Sequence, residues 1–265
     1  MAGATAIEWT EMTWNPVTGC TKVSEGCKFC YAERMAKRLQ SMGVRQYSNG
    51  FRVTLVPHVL PLPLKWRTPR MVFVNSMSDL FHEDVPLCYI KRVFKVMRKS
   101  PQHIFQVLTK RSERLADLAP RLDWTDNIWM GVSVENESVS FRIAHLIQTP
   151  ARIKFVSLEP LIGPVKSLFL ESTDWIIVGG ESGPKARPVK KQWIDSVHKK
   201  CRTYQVPFFF KQWGTAKWNP NQSDPTIIKG HMHYAKGGCQ LDGRIYREMP
   251  VNMIDRQYRV QGLRG

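Results

Sequence analysis

The sequence predicts an α/β protein with a TIM-like (β/α) barrel, complete or partial, in which a cysteine-rich loop follows the first strand. Short apolar runs alternate along the chain with amphipathic, basic stretches, as in folds built from β/α units. The runs are almost continuously apolar, which is typical of strands buried on both faces of a parallel sheet. Because the sequence contains eight such runs, a barrel is favoured over an open sheet.

Each predicted strand is a run of apolar or β-branched residues that ends in polar residues or glycine. The first run is the least regular, because it is short and contains Pro16. In chain order the predicted strands are 13–18, 52–56, 71–75, 103–108, 128–134, 153–158, 175–178 and 206–210.

Helices are predicted between these strands, where apolar residues recur with helical spacing among basic ones. The segment 42–70 is rich in proline and shows no clear helix. The barrel is expected over residues 1–214, and residues 215–265 are expected to form a lid or tail that packs on it. The predicted helices are 32–41, 87–99, 112–118, 138–148 and 190–204.

The composition is that of a folded protein, with 43% hydrophobic and 23% charged residues. No run approaches the roughly 18 apolar residues of a membrane helix. The first residues lack the basic start and apolar run of a signal peptide. We therefore expect a cytoplasmic monomer whose cysteines stay reduced, where a cysteine cluster is more typical of a metal site than of disulfides.

The chain carries 39 Lys and Arg against 22 Asp and Glu, a formal net charge of +17. Such a charge predicts a polyanionic partner, DNA or RNA, because neutralised phosphates release counterions. The alternative is a set of solvated helix faces that keep the protein soluble. The expected nucleic-acid contacts follow presumed strand ends and are Arg111, Lys185, Arg187, Lys190 and Lys191.

Three of the six cysteines are close in sequence: Cys20, Cys27 and Cys30, spaced C-x6-C-x2-C. Three thiolates can hold three irons of a four-iron–four-sulfur cluster, which leaves the fourth iron free to bind another molecule. An open metal position is typical of catalytic rather than structural sites. Structural zinc is the alternative, but the nearest downstream histidines, His58 and His82, lie outside finger-like spacing.

Charged residues follow successive predicted strands: Lys110, Glu135, Glu159, Glu181 and Lys211. Any one of them alone is more typical of a helix cap or a salt bridge. In β/α barrels, however, the catalytic residues lie where strands end and loops begin. Their joint occurrence beside the cysteine loop predicts an active site at one rim, with Glu135, Glu159 and Lys211 as catalytic residues.

The segment Gly-Cys-Lys-Phe-Cys-Tyr-Ala at 26–32 resembles the cluster loop of radical S-adenosylmethionine (SAM) enzymes. In that superfamily an aromatic residue usually precedes the last cysteine and packs by the adenine. Phe29 matches that position, and Tyr31 follows the cysteine. The commonest spacing there is C-x3-C-x2-C, so the first gap of six residues is a departure.

More of the chain is similar to an uncharacterised, phage-associated family of radical-SAM-like barrels. The similarity extends from Trp14 to about Gly214. The matching segments are 14–16 with the cysteine loop, 77–81, 108–111, 131–136, 157–161, 179–183 and 209–214.

The resemblance implies a four-iron–four-sulfur cluster on the three cysteines and SAM bound at the open iron. It also implies that Asn75, Ser76 or Asp79 holds the SAM amino group, and that Lys110 or Arg111 holds the carboxylate. Radical SAM enzymes usually carry Gly-Gly-Glu after the second strand, whereas 179–181 follows about the seventh predicted strand, so that role is not transferred. The expected cofactor-binding residues are Phe29, Tyr31, Asn75, Ser76, Asp79, Lys110 and Ser133.

Charge and resemblance together predict a radical SAM enzyme that modifies or repairs a nucleic acid or nucleotide. Its expected partners are the nucleic acid and a reductant such as flavodoxin or ferredoxin. Two alternatives stay open: a cluster-containing nucleic-acid-binding protein without turnover, and a radical SAM enzyme acting on a small phosphorylated metabolite. Formation of 5′-deoxyadenosine separates enzyme from binding protein, and binding of long polyanions separates the two enzymes.

Overall fold

The computed structural model describes residues 2–250, and its β-strands are short. In chain order they are β1 (Ala2–Ala4), β2 (Met12–Trp14), β3 (Val17–Thr18), β4 (Thr54–Leu55), β5 (Met71–Val74), β6 (Ile104–Thr109), β7 (Ile128–Ser133), β8 (Lys154–Leu158), β9 (Trp175–Gly179), β10 (Phe208–Gln212), β11 (Gln240–Leu241) and β12 (Arg244–Ile245).

Five α-helices lie among the described residues: α1 (Tyr31–Ser41), α2 (Leu87–Arg98), α3 (Ser112–Leu118), α4 (Phe141–Ile147) and α5 (Lys191–Thr203). Short 3-10 helices occupy many of the connections. They are Glu25–Cys27, Arg45–Tyr47, Pro57–Val59, Pro63–Lys65, Ala119–Arg121, Glu137–Val139, Leu170–Ser172, Ala216–Trp218, Pro225–Ile227 and Tyr234–Lys236.

Eight strands form one sheet in the order β1-β2-β5-β6-β7-β8-β9-β10. The edge strand β1 runs antiparallel to β2, and every other neighbouring pair in this sheet is parallel. The loops that follow β5 to β10 therefore leave the sheet at the same edge, which we call the carboxyl rim. Two ribbons lie outside the sheet, β3 with β4 and β11 with β12.

The predicted barrel is wrong, because the sheet is open and has β1 and β10 as its edges within residues 2–250. The run 52–56 forms only β4, which pairs with β3 outside the sheet, and the run 13–18 divides into β2 and β3. The eighth strand of the sheet is β1, whose sequence Ala-Gly-Ala carries no strand pattern. A count of apolar runs cannot reveal which runs pair with one another.

The outer edge of β10 is covered by the chain rather than by a closing strand. The amide of Phe210 donates to the carbonyl of Tyr246, and the amide of Glu248 donates to the carbonyl of Phe208. These bonds satisfy edge groups that would otherwise face solvent or another sheet edge. The segment 215–250 is thereby attached to the sheet, whereas residues 251–265 of the predicted lid or tail lie outside the described residues.

The remaining predicted elements are confirmed within a few residues: β5 to β10 and all five helices lie where the sequence places them. The helices cover one face of the sheet, which we call the helix face. Its core contains Phe105, Val132, Ile176 and Phe210, and α2 contributes Phe94. Within residues 2–250, no helix is long and apolar enough to cross a membrane.

The second face of the sheet is covered by the segment between β1 and β2. Trp9 of this segment packs against Phe73, Phe155 and Trp175, with ring centroids 4.7, 6.5 and 6.4 Å apart. The side-chain amide of Gln106 donates to the backbone carbonyl of Trp9, and this bond fixes the segment on the sheet. The aromatic layer fills the second face near the amino ends of the strands, so polar side chains near the carboxyl rim lie beyond it.

Candidate active site

The three cysteines lie on one loop, residues 19–30, which joins β3 to α1 and which we call the cysteine loop. It begins at Gly19, whose φ of +82° and close approach to the Arg52 carbonyl leave no room for a Cβ. The amide of Gly19 donates to the carbonyl of Met77, and that of Cys20 donates to Phe51. Cys30 is the N-cap residue of α1. The loop is therefore fixed at both ends beside the carboxyl rim.

Arg111, which follows β6, anchors the first half of the loop. Its Nη2 donates to the Thr21 hydroxyl and carbonyl at 2.7 and 3.2 Å, and its Nη1 contacts Cys20 Sγ at 3.4 Å. Nε and Nη1 also bind the carboxylates of Glu83 and Asp79. The side chain is only 3% exposed. All three nitrogens of the guanidinium group thus have partners within the protein, and we assign Arg111 to loop positioning rather than to phosphate contact.

Glu135, which follows β7, holds the centre of the loop. Its carboxylate accepts from the Ser24 hydroxyl at 2.8 Å, and a Cβ on Gly26 would lie 2.3 Å from its Cγ. Arg142 of α4 pairs with the same carboxylate at 3.0 Å, and Lys110 lies 3.5 Å from it. Glu135 is 1% exposed, and a carboxylate buried to this extent needs cations and hydrogen-bond donors of this kind around it.

Arg187, on the loop after β9, holds the second half. It binds both carboxylate oxygens of Glu181 and donates to the Glu25 carbonyl at 3.0 Å. Its guanidinium lies 5.5 Å from the centroid of the Phe29 ring. Hydrogen bonding to Glu181 raises the pKa of Arg187 despite partial burial. Glu181 of the Gly-Gly-Glu segment therefore acts on the cysteine loop through Arg187.

A further ion pair, between Lys211 and Glu159, lies on the second face of the sheet. Lys211 pairs with Glu159 at 3.0 Å, and Glu159 also accepts from the Trp9 indole and the Ser157 hydroxyl. Burial alone lowers the pKa of Lys211, but the negative charges of Glu159 and Glu8 outweigh it and leave the pKa raised. Lys211 is therefore held as a cation in this cluster, which suits charge stabilisation better than proton abstraction.

The predicted cofactor residues that follow β5 differ in how many of their polar atoms have hydrogen-bond partners. Both oxygens of Asp79 are occupied, accepting from Thr109, Phe81, Lys110 and Arg111 groups. Asn75 has a φ of +62°, its Oδ1 accepts from an amide in β3, and its buried Nδ2 has no partner in the described structure. An unpaired buried donor costs about 1–3 kcal/mol, so Asn75 is the better candidate to receive a ligand.

The other predicted cofactor residues differ in how many contacts they make within the protein. The Tyr31 hydroxyl donates to the Ser76 carbonyl at 2.6 Å, and the Ser76 hydroxyl donates to Asn15. The buried Ser133 contributes its carbonyl to Arg142. Phe29 is half-buried, and its ring centroid lies 5.6 Å from Lys28 Nζ and 5.5 Å from the Arg187 guanidinium carbon.

All three loop thiols are free and partly exposed. Burial and the nearby Asp79 raise the pKa of Cys20 to about 11, although Arg111 opposes this. Among residues 2–250, no group of three His, Cys, Asp or Glu side chains is placed to hold a metal ion. The donor set still suits an iron–sulfur cluster, because such clusters are held by thiolates; binding would require the three thiols to turn towards one centre.

The five predicted nucleic-acid residues do not form one free basic surface. Arg111 and Arg187 are engaged as described, and Lys191 pairs with Asp195 and Asp242 at 2.8 and 3.0 Å. Lys185 and Lys190 are exposed, and Lys190 lies over the Trp193 ring. The rim thus uses much of its positive charge within the protein.

Sequence reasoning missed two partners of Glu135. Arg142 lies within the mostly apolar pattern of α4, and a helical arginine is ordinarily read as a solvent-facing residue. Ser24 lies in the cysteine loop, where serine is also the usual residue of a turn. The distance in sequence between Glu135 and these two residues follows no motif, so their contacts with Glu135 could not be predicted from the sequence.

The family model of DUF5131, described as a protein of unknown function, matches residues 4–250. In searches of curated proteins and of solved structures, nothing matched this chain. The family match covers the cysteine loop and the whole carboxyl rim, and it brings no activity with it.

Proposed function

The chain belongs to the DUF5131 family, and we propose that it is a radical SAM enzyme that acts on a nucleic-acid or nucleotide substrate. The observation that carries the proposal is the cysteine loop itself. Three free thiols lie on one loop, and side chains that follow β6, β7 and β9 hold that loop against the carboxyl rim. This much support for a short loop is expected where geometry matters for chemistry.

Cys20, Cys27 and Cys30 would hold a four-iron–four-sulfur cluster with one open iron. When bound, the cluster would supply the electron that cleaves SAM into methionine and a 5′-deoxyadenosyl radical. The residues of the chain bind, orient and exclude water around this chemistry.

Arg111, Glu135 and Arg187 position the loop, each through a contact to its backbone or to a short side chain. Asn75 offers an unpaired amide donor, and Lys110 is only loosely paired at 3.5 Å from Glu135. We assign these two residues to the polar groups of SAM. Lys211 and Glu159, which pair with each other on the second face of the sheet, would face the substrate.

The proposal is tested by purifying the full chain without oxygen and measuring iron and sulfide. The protein is then mixed with SAM and dithionite, and 5′-deoxyadenosine is measured by chromatography. We expect about four irons per chain and 5′-deoxyadenosine above the buffer control. Cys27→Ala should remove both, whereas Cys88→Ala, an exposed cysteine on α2, should remove neither. Stoichiometric zinc without iron would overturn the proposal.

A second candidate, a radical SAM enzyme for a small phosphorylated metabolite, is favoured by the pairing of Arg111, Arg187 and Lys191 within the protein. Because these three side chains are paired with carboxylates, fewer unpaired Lys and Arg side chains remain at the rim to bind a long polyanion than the net charge of the chain suggests. Binding of a 20-nucleotide single strand at low salt, compared with a nucleoside monophosphate, separates the two. Affinity for the mononucleotide alone would select the metabolite enzyme.

A further inference from the structure

Helix α1 presents a regular stripe on the side turned away from the core. Its members recur at helical spacing along one side of the helix and into its C-cap. Ala32 and Ala36 on the opposite side are buried against Tyr47 and Met77. The α1 stripe consists of Tyr31, Arg34, Met35, Arg38 and Met42.

The apolar members of the stripe are exposed to solvent. Tyr31 is 47%, Met35 40% and Met42 65% exposed. A folded helix normally turns such residues towards the core, and a row of them beside arginines is typical of an interaction surface.

The charged members of the stripe have no counterion among residues 2–250. Neither Arg34 nor Arg38 forms an ion pair with any residue between 2 and 250, whereas Glu33, on another side of α1, pairs with Lys22 and Lys37. Residues 20–45 carry six Lys and Arg against two Glu. A partner of complementary charge is therefore acidic.

The composition of the stripe favours a protein over a nucleic acid. Tyr, Met and Arg are enriched at the centres of protein–protein interfaces, and Lys is depleted there. Interfaces with nucleic acids are more polar and rely on phosphate contacts. Two exposed methionines beside unpaired arginines match the first description.

The stripe begins at the cysteine loop. Tyr31 directly follows Cys30, and its hydroxyl reaches the Ser76 carbonyl at the rim. Arg34 lies over Gly183, where an added Cβ would be 2.5 Å from Nη1. A protein seated on the stripe would therefore touch the edge of the candidate site.

We infer that the α1 stripe is the docking surface for an acidic electron-transfer protein, which delivers the electron to the site. The delivery of an electron rests on the proposed function, because only a redox site would need one. The docking itself depends only on the stripe, so the two are tested separately.

The experiment measures binding of an acidic flavodoxin to the full chain by calorimetry at low salt. We expect Arg34→Glu/Arg38→Glu to weaken binding about tenfold or more. The matched control is Lys91→Glu/Lys95→Glu on the exposed side of α2, which changes the net charge equally and should weaken binding less than about threefold. A third variant, Met35→Gln, leaves the charge unchanged and should also weaken binding.

Absence of flavodoxin binding by the wild-type chain, or equal losses in both charge variants, would overturn the docking inference. So would a duplex DNA that displaces flavodoxin and is itself lost in Arg34→Glu/Arg38→Glu, because the stripe would then be a nucleic-acid surface. Iron content and dithionite-driven formation of 5′-deoxyadenosine report on the proposed function independently. Stripe-dependent flavodoxin binding without either of them would support the docking and reject the radical chemistry.

Discussion

The second face of the sheet has two halves, which are formed by the same strands but carry different kinds of side chain. Near the amino ends it is an aromatic layer of Trp9, Phe73, Trp129, Phe155 and Trp175. Two to four residues farther along the strands it changes to small and charged residues. These are Ser133, Ser157, Glu159, Gly179 and Lys211.

Under the proposed function, the two halves divide stability from chemistry. The aromatic half buries large apolar rings against one another, the main source of folding free energy. The polar half takes ion pairs out of water, which is weak or unfavourable for stability even when they are well paired. These pairs lie at a rim of strand ends beside three free thiols, where the proposed function would use them.

The largest expected effect comes from breaking the aromatic half. Trp175 is fully buried and lies 5.7 Å from Phe155 and 6.0 Å from Phe209 by ring centroids. We expect Trp175→Ala to lower the free energy of unfolding by about 3–5 kcal/mol, because the cavity cannot be filled. Urea unfolding measures the change. Phe141→Ala, at a half-exposed ring, is the control, and a loss below about 1 kcal/mol for Trp175→Ala would contradict this division.

The next largest effect is expected from Arg111→Gln, a variant that tests whether residues of the carboxyl rim position the cysteine loop. Arg111→Gln removes a buried cation from Asp79 and three contacts to the loop, so we expect a loss of about 3 kcal/mol together with reduced iron binding. Arg114→Gln also removes carbonyl contacts, to Phe81 and Val85, but touches no loop residue. Iron content should fall only in Arg111→Gln. Equal iron in both variants would mean that Arg111 serves stability alone.

A smaller effect concerns Glu8, which precedes Trp9 in the chain and pairs with Lys236 at 2.6 Å. Burial raises the pKa of Glu8, but the charges of Lys211 and Lys236 outweigh it, so the pKa is lowered from its ordinary value of 4.5. A carboxyl whose pKa is lowered by folding stabilises the protein above its unfolded pKa and loses that contribution as the pH falls. We expect Glu8→Gln to cost about 1 kcal/mol at pH 7. In thermal melts the difference from wild type should shrink below pH 4.5; a constant difference would show that the charge is not its source.

The smallest effect on folding is expected from the exposed lysines outside both halves. Lys185→Ala/Lys190→Ala should leave the melting temperature unchanged, since neither residue forms an ion pair within residues 2–250. If these lysines contact a polyanion, the slope of log affinity against log salt should fall by about two. Lys191→Ala, which removes a lysine paired with two aspartates, should change the slope less. An unchanged slope in the double variant would exclude these lysines as phosphate contacts.

Much of the local structure followed from sequence patterns. The buried parallel strands β5 to β10 have continuous apolar runs, and α2 and α5 have clear helical spacing, so both were predictable. The location of Glu135, Glu159 and Lys211 at strand ends followed from those runs. The strand β1 and the division of 13–18 into β2 and β3 did not. The three residues Ala-Gly-Ala of β1 and the two residues Val-Thr of β3, which follow a proline, are too few to show a periodicity.

The sequence by itself determined the strands β5 to β10 and the five helices in chain order, the cysteine spacing and the set of charged residues near strand ends. Only the tertiary structure decided that the sheet stays open, that Trp9 fills its second face, and that Arg111 and Arg187 bind the cysteine loop. Periodicity depends on neighbours along the chain, whereas edge pairing and charge pairing depend on residues far apart in sequence, such as Arg187 and Glu25. A basic residue looks the same in sequence whether it meets a phosphate or a carboxylate of its own chain.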